Sequence, residues 1–335
     1  MRSGGGQCRK SPQRPLAWRI VPLAAASPRV RAWLTTLIFG CWLNRLASDT
    51  ACRLGGTLGL LVWRLGFRRR VAQDQITRAL GVRGTRRRRL LRRAYASIGA
   101  SFLDVFTAGG PCGPERGMQV LNPGFQRRLR GRPLVFITPH LGSWDCAAHS
   151  WAALDGSLSV YAKALHNHAL DAILNRQRAR LGLRVVLVGH GDRREALRVM
   201  RQVADGGSIG VLPDQRPFAA GDARPADFLG HRCQVIAGAS TIAARTQAVI
   251  VPVVAIRRRA GSVRVLYAPC MSGDEERLRR STFAALSALV AAVPGQYMWT
   301  HRRLRDEHPS PVDDWRSGWA WFRRRDALGR GPDAQ

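Results

Sequence analysis

The chain has 335 residues, and its hydrophobic content of 45% is ordinary for a globular protein, so disorder is not expected for most of it. Its charge is not ordinary, because 54 Lys and Arg against 22 Asp and Glu leave a formal net charge of +32. Such a charge predicts an anionic partner, which is a membrane surface, a nucleic acid or a phosphorylated substrate.

The N-terminal segment is first basic and then apolar. Residues 1–30 are rich in Gly, Ser, Pro and Arg and are predicted to form a mobile tail without a cleaved signal sequence. Two apolar runs follow, at 32–43 and 54–67, and each is shorter than the roughly 20 residues that cross a bilayer. Three arginines directly after the second run are typical of a helix that lies in the membrane interface. A pair of buried core helices is the alternative interpretation.

A strongly basic helix is predicted at 85–107. Its apolar residues recur at helical spacing, and six arginines occupy the eight positions from 86 to 93. Like charges at this density repel one another unless an anion lies near them. We therefore predict that residues 31–110 form a membrane-associating helical region.

Strand and helix patterns alternate from about residue 130, which predicts an α/β fold with a mostly parallel central sheet flanked by helices. The predicted strands are 134–138, 157–162, 184–188, 208–212, 249–256 and 262–267. The predicted helices are 143–154, 168–181, 193–205, 234–246 and 276–292. We assign residues 111–308 to this domain and residues 309–335 to a Trp- and Arg-rich tail. That tail suits a membrane interface and equally suits packing on the domain.

The first candidate for chemistry is a pair of residues after the first strand of this domain. His140 follows the strand, and Asp145 falls in the first turn of the next helix, after Gly142 and Ser143. On one continuous helix the two side chains would lie on different faces, so they can meet only across a strand-to-helix turn. Asp145 would then hold one imidazole nitrogen of His140 while the other takes a proton from a hydroxyl. A purely structural role for both residues is the alternative.

A second polar group follows the strand at 208–212. Asp214, Gln215 and Arg216 are expected at the same edge of the parallel sheet as His140, so the two groups can converge on one crevice. Arg216 is suited to holding a phosphate, and Asp214 and Gln215 are suited to fixing a hydroxyl or an arginine. By itself, however, a strand that ends in Pro-Asp is also a common turn.

Six blocks in the same order resemble the bacterial lipid A biosynthesis acyltransferase family, of the lauroyl/myristoyl transferase type within the lysophospholipid acyltransferase superfamily. The blocks are 140–145 (HxxxxD), 175–182 with Arg178, 212–215 (Leu-Pro-Asp-Gln), 227–230, 251–252 and 296–303 (Gln-Tyr-x-Trp-x-His-Arg-Arg). The resemblance runs from about residue 52 to 305. Asn167-His168 stands where the family pattern has Asn-Pro, and Gln75-Ile76 stands where it has Asn-Leu. These departures bear on the acceptor more than on the chemistry.

The resemblance implies a protein at the cytoplasmic face of the inner membrane. It would move a fatty acyl chain from acyl carrier protein, or from coenzyme A, onto a hydroxyl of a phosphorylated glycolipid such as a lipid A precursor. The expected partners are therefore acyl carrier protein, an anionic acceptor lipid and the membrane surface. No cofactor or metal is expected beyond the acyl thioester co-substrate.

The resemblance also implies roles for the site residues. His140 would be the general base and Asp145 would orient it, while Arg178 and Asp214 would support the site or bind phosphate. Backbone N–H groups near Gly142 and Ser143, at the start of the helix, are candidate oxyanion donors.

Other interpretations are weighed against this one. The acceptor can instead be a phosphatidylinositol mannoside, an aminolipid or a polyene-type lipid. A nucleic-acid-binding protein is disfavoured, because the arginines spread over the whole chain and cluster beside apolar helices. A metal-dependent hydrolase that uses His140, Asp145, His190 and Asp214 is disfavoured because closely spaced histidines are lacking. The seven cysteines show no CxxC spacing, which favours reduced thiols in a cytosolic compartment.

Overall fold

The computed structural model describes residues 46–107, 114–163, 167–188, 193–217, 223–258, 261–304 and 308–309. The helices are α1 (Ser48–Arg64), α2 (Arg69–Leu80), α3 (Gly84–Thr107), α4 (Pro123–Arg127), α5 (Trp144–Asp155), α6 (His168–Arg180), α7 (Arg193–Ala204), α8 (Gly238–Thr246) and α9 (Glu275–Ala292). The strands are β1 (Met118–Val120), β2 (Leu134–Ile137), β3 (Leu158–Lys163), β4 (Leu183–Val188), β5 (Ser208–Val211), β6 (Ala223–Phe228), β7 (His231–Ile236), β8 (Val249–Arg257), β9 (Val263–Tyr267) and β10 (His308–Pro309). The predicted tail at 1–30, the apolar run at 32–43 and all but the first residue of the tail at 309–335 lie outside the described residues.

A seven-stranded sheet in the order β1-β9-β8-β2-β5-β3-β4 forms the centre of the fold. Its neighbouring strands run parallel, except for β8 and β9, which pair antiparallel. Strands β10, β7 and β6 form a smaller antiparallel sheet. The predicted α/β fold, with a mostly parallel central sheet flanked by helices, is therefore confirmed.

Strand β2 is buried on both faces. Its four residues, Leu-Val-Phe-Ile, are all buried, and they alternate between two core clusters. Val135 and Ile137 belong to the core cluster that also contains Ile242 of α8, whereas Phe136 packs against Trp151 of α5 with ring centroids 4.8 Å apart. A strand that is covered on both sides requires such a continuous apolar run, because successive side chains point to opposite faces. Packing on both faces holds the end of β2, and with it the residues that follow, in a defined place.

Helix α1 packs closely on α3 through glycine. A Cβ atom added to Gly59 would lie 2.0 Å from the backbone oxygen of Tyr95, so a larger residue there would push the two helices apart. Another face of α1 exposes leucines, of which Leu61 is 49% exposed. Within the described ranges, no helix combines the length and the apolarity needed to cross a bilayer. Helix α1 is thus buried on one face and exposed on another. The sequence allowed either a helix in the membrane interface or a buried core helix, and α1 combines features of both.

The predicted elements of the α/β domain agree with the structure to within one residue at each end, with one exception. The predicted helix at 234–246 begins only at Gly238, because residues 234–236 belong to β7. Cys233 and Val235 are buried while Gln234 is exposed, which is the alternation of a strand. Because β7 is short and runs directly into α8, its last residues were included in the predicted helix. The hairpin of β6 and β7 was missed for this reason.

Candidate active site

Strands β2 and β5 bring two polar segments to one edge of the sheet. They are parallel neighbours with Ile137 opposite Val211, and the Thr138 N–H continues the ladder by donating to the Val211 carbonyl at 3.2 Å. The chain therefore leaves both strands at the same carboxyl edge, as parallel pairing requires. His140 and Asp214 lie just beyond that edge and are in contact.

His140 is held at two points by one carboxylate. Its Nδ1 donates to Asp214 Oδ1 at 2.7 Å, and its backbone N–H donates to Asp214 Oδ2 at 3.0 Å. A carboxylate accepts only, so this bond assigns the proton to Nδ1 and leaves Nε2 as an acceptor. The amide nitrogen of Gln215 lies 3.3 Å from Nε2. The imidazole is thus oriented, with its basic nitrogen turned toward a group that a substrate hydroxyl can replace.

Asp214 is buried and keeps its charge. Burial by itself raises the pKa of the carboxyl, but the electrostatic attraction of the His140 imidazole, the hydrogen bonds from its ring and backbone, and a hydrogen bond from the Tyr297 hydroxyl outweigh burial and hold that pKa below its ordinary value. Burial, and after it the Asp214 charge, raise the pKa of the Tyr297 hydroxyl well above its usual value, so it remains a donor. Tyr297, Asp214 and His140 form a connected chain of hydrogen bonds.

The structure corrects the predicted partner of His140. Asp145 lies in the first turn of α5, but its Oδ1 accepts from Arg178 Nε of α6 at 2.9 Å. This carboxylate raises the pKa of the Arg178 guanidinium. The predicted bond between Asp145 and His140 is therefore replaced by two pairs, His140 with Asp214 and Arg178 with Asp145. The physical reason is that both oxygens of Asp214 already engage His140, through its ring and its backbone.

The N–H groups of Gly142 and Ser143, next to which the oxyanion donors were predicted, are themselves occupied. The Gly142 N–H donates to the Gln296 carbonyl at 3.1 Å, and the Ser143 N–H donates to the Ala255 carbonyl at 2.9 Å. Ser143 occupies the N-cap position of α5, but its hydroxyl makes no cap and instead donates to Asp104 Oδ2 at 2.7 Å. Both residues therefore fix the loop after His140, and both backbone N–H groups are used within the protein.

A buried ion pair is connected to this loop by hydrogen bonds. Arg257, at the end of β8, donates to Asp104 Oδ1 of α3 at 3.0 Å, and a second bond joins the same two side chains. Its guanidinium also donates to Ser101 Oγ at 3.1 Å, and Ser101 in turn donates to the Gly142 carbonyl. Asp104 accepts from Ser143 as well. The basic helix α3 is thus tied by buried polar contacts to the segment that carries His140.

The C-terminal block holds the other side of the loop. Leu141 pairs with Tyr297 in an isolated antiparallel bridge, and the Met298 N–H donates to the His140 carbonyl at 3.0 Å. The Gln296 side chain both accepts from the Arg257 N–H and donates to the Arg257 carbonyl. Residues 140–143 are therefore clamped between β8 and the segment after α9.

These findings agree with a comparison to known families. A family model described as bacterial lipid A biosynthesis acyltransferase matches residues 25–306. The chain belongs to this family. A search among curated proteins gave no match for this acyltransferase.

Most of the residues singled out in the sequence of the acyltransferase fall into two groups. His140, Asp214 and Gln215 come together directly, and Asp145 with Arg178 form the second group. Arg216 follows Gln215 at the same edge and is partly exposed. Within the described ranges, no three His, Cys, Asp or Glu side chains converge as metal ligands would.

Sequence reasoning missed the residues that support this site from other elements. Tyr297, Asp104 and Arg257 received no role, although Tyr297 lies within the C-terminal block that resembles the family. The available signal for Tyr297 was its place as an aromatic residue four positions before His-Arg-Arg in that block. For Asp104, the lone acid of a basic helix from Gly84 to Thr107 was a signal. Nothing in the sequence around Arg257 distinguishes it from the other 53 arginines and lysines of the chain.

Proposed function

We propose that this lipid acyltransferase moves a fatty acyl chain from an acyl carrier protein or coenzyme A thioester to a hydroxyl of a membrane glycolipid, with a lipid A precursor as the acceptor. The observation that carries the proposal is the contact between His140 and Asp214, which leaves Nε2 of a half-buried imidazole as an acceptor. A base held in one tautomer by a buried carboxylate is suited to deprotonating a hydroxyl.

The chemistry requires few groups because a thioester is already activated. The acceptor hydroxyl takes the place of the Gln215 amide and gives its proton to His140 Nε2 as its oxygen attacks the thioester carbonyl. The tetrahedral intermediate collapses by breaking the C–S bond, and the departing thiolate takes the proton from Nε2. The products are an ester and a free thiol. Asp214 stays ionised throughout, and its negative charge stabilises the imidazolium that forms on His140.

Charge supports the proposed partners and location. Acyl carrier protein is acidic, and both a phosphorylated acceptor and the inner membrane surface are anionic, so a net charge of +32 favours association with all three. The proposal places the enzyme at the cytoplasmic face of that membrane. A different acceptor, such as a phosphatidylinositol mannoside, an aminolipid or a polyene-type lipid, fits the same chemistry and is separated by the test below.

The test compares lipids by mass spectrometry and then reconstitutes the reaction. Total lipids from cells with and without the protein are expected to differ by one species that is heavier by one acyl chain, which identifies both acceptor and chain length. Purified protein is then mixed with that acceptor in vesicles and with acyl carrier protein or coenzyme A thioesters. Formation of the same product with one donor supports the proposal. Unchanged lipids together with no transfer from either donor would contradict it.

Tyr297→Phe is expected to lower kcat about tenfold while KM stays within about twofold of the wild type. The variant removes a hydrogen bond to the Asp214 carboxylate, and bonds to charged groups contribute about 1.5–3 kcal/mol, of which a part reaches the transition state. KM is spared because Tyr297 is buried and cannot contact substrate.

Tyr95→Phe is the matched control for Tyr297→Phe. Tyr95 has the same exposure as Tyr297, 3% in both cases, and its hydroxyl donates to the Phe67 carbonyl at 2.7 Å and not to Asp214. Both variants lose one hydrogen bond of a buried tyrosine, so both are expected to melt at lower temperature. Equal kcat in the two variants would show that the Tyr297 hydroxyl has no part in orienting Asp214.

A further inference from the structure

Two helices bring three arginines around one indole ring on a third helix. The guanidinium carbons of Arg69 on α2 and of Arg88 and Arg92 on α3 lie 5.9, 5.7 and 5.6 Å from the centre of the Trp63 ring on α1. Trp63 packs partly against the core, whereas all three arginines are exposed. We call these four residues the Trp63 cage. Contact with the core thus positions the indole beside the three arginines.

Within the described residues, no acidic side chain balances the charges of the Trp63 cage. Arg88 and Arg92 stand one helical turn apart, a spacing at which like charges destabilise a helix. Among the ion pairs of the described residues, none joins Arg69, Arg88 or Arg92 to an acid. The ring face attracts each cation only weakly at an exposed site. An anion shared by the three guanidinium groups would replace their repulsion with charge-assisted hydrogen bonds, and phosphate oxygens match guanidinium geometry best.

An apolar stripe runs along α1 toward the Trp63 cage. Leu58 and Leu61 recur at helical spacing and are 44% and 49% exposed, and the chain beyond the helix exposes Leu65 and Phe67 still further. The remaining members of the stripe are Leu54 and Val62. Soluble proteins seldom leave contiguous apolar surface of this kind uncovered. An apolar stripe that ends in a basic and aromatic cluster is the arrangement of a helix lying in a bilayer interface.

We propose that the Trp63 cage binds the phosphate of an anionic phospholipid headgroup, with the apolar stripe of α1 turned toward the acyl chains. The occupant is an anionic bilayer because a bilayer offers phosphates beside an apolar phase that is extensive enough to cover the whole stripe. A free phosphate would satisfy the arginines and leave the leucines in water. The proposal rests on the membrane location proposed above, but not on catalysis, since binding is measured without turnover.

The test is flotation of the purified full chain with vesicles at about 0.15 M salt, where long-range charge effects are screened. Vesicles of phosphatidylcholine alone are compared with vesicles that also contain phosphatidylglycerol. The variant is Arg88→Gln with Arg92→Gln, and its matched control is Arg86→Gln with Arg89→Gln. Both lose two exposed charges from the same helix, but only the first loses members of the cage.

The wild type is expected to bind the anionic vesicles at least tenfold more tightly than the neutral ones. The cage variant should lose about 30-fold in affinity for the anionic vesicles, the effect of two arginines acting at the membrane surface. The control pair should lose no more than about threefold. Equal losses in the two variants would show that net charge alone drives binding and would overturn the proposal, as would equal binding of the wild type to both kinds of vesicle.

A second pair of variants tests the stripe itself. Leu61→Asp should weaken binding at least tenfold, whereas Leu197→Asp, at a leucine of α7 that is 46% exposed, should leave it within about twofold. Equal binding by these two variants would overturn the role of the stripe. Thermal melts confirm that each variant is folded. Absence of acyl transfer by the wild type would contradict the proposed catalysis but would not affect the interpretation of the vesicle measurements.

Discussion

Asp214→Asn is expected to lower kcat/KM for acyl transfer by about 10³- to 10⁴-fold, close to the residual level of His140→Ala. Asp214 accepts from both Nδ1 and the backbone N–H of His140. An asparagine keeps the shape but offers an N–H to the ring in one of its two orientations, which favours the tautomer whose Nε2 is protonated and cannot act as a base. It also removes the negative charge that stabilises the imidazolium. Initial rates at varied acceptor concentration measure the effect.

Asp145→Asn is the comparison that separates the two carboxylates. Asp145 pairs with Arg178, which is 19% exposed, so its loss leaves a half-buried guanidinium without its anion. We expect a lower melting temperature and a fall in kcat/KM of no more than about 100-fold, because the His140 tautomer is unaffected. Rates measured well below the melting temperature of each variant keep stability out of the comparison. A larger loss in Asp145→Asn than in Asp214→Asn would reject the geometry described for His140 and restore the arrangement predicted from its sequence motif.

Gly142→Ala is expected to lower the free energy of unfolding by about 3 kcal/mol or more and to remove most of the activity. Gly142 has φ of +60°, a conformation that costs other residues about 1–2 kcal/mol. A Cβ atom there would also lie 2.0 Å from the Ala255 backbone oxygen, so β8 or the loop must move. That loop carries His140 two residues earlier, and a displacement of the imidazole breaks its contact with Asp214. Denaturant titration and initial rates measure the two effects.

Gly131→Ala isolates the steric part of this prediction. Gly131 also has a positive φ, of +75°, but nothing lies within 4 Å of the position of its Cβ atom. It should therefore lose only the conformational cost, about 1 kcal/mol, with unchanged kcat. If the two alanine variants lose the same stability, the close approach of Gly142 to β8 is not a constraint on the fold.

Much of the fold follows from local patterns in the sequence. The run Leu134–Ile137 is apolar at every position, which specifies a strand buried on both faces, and its boundaries agree with the structure to within one residue. The alternation of such runs with helical patterns is sufficient to predict the parallel sheet. The hairpin of β6 and β7 was missed because β7 runs directly into a helix, so its alternating burial pattern is not separated from the helical pattern that follows.

The candidate site could be predicted in part, for the same reason. His140 and Asp214 each follow a predicted parallel strand, so their presence at one edge of the sheet was deducible from the sequence. Their contact was not deducible, because it depends on β2 lying next to β5, with Ile137 opposite Val211. Strand order is set by packing across the whole sheet and not by any neighbouring residue.

The sequence by itself determined the fold class, the residue suited to act as a base and the basic, apolar character of the N-terminal helices. Only the tertiary structure decided which carboxylate orients His140, since Asp145, five residues away along the chain, pairs with Arg178, and Asp214, 74 residues away, holds the ring. It also decided that the N–H groups of Gly142 and Ser143 serve the loop. The physical reason is that propensity and periodicity act over a few residues, whereas each buried donor and acceptor takes the partner that the packed elements place within hydrogen-bond distance.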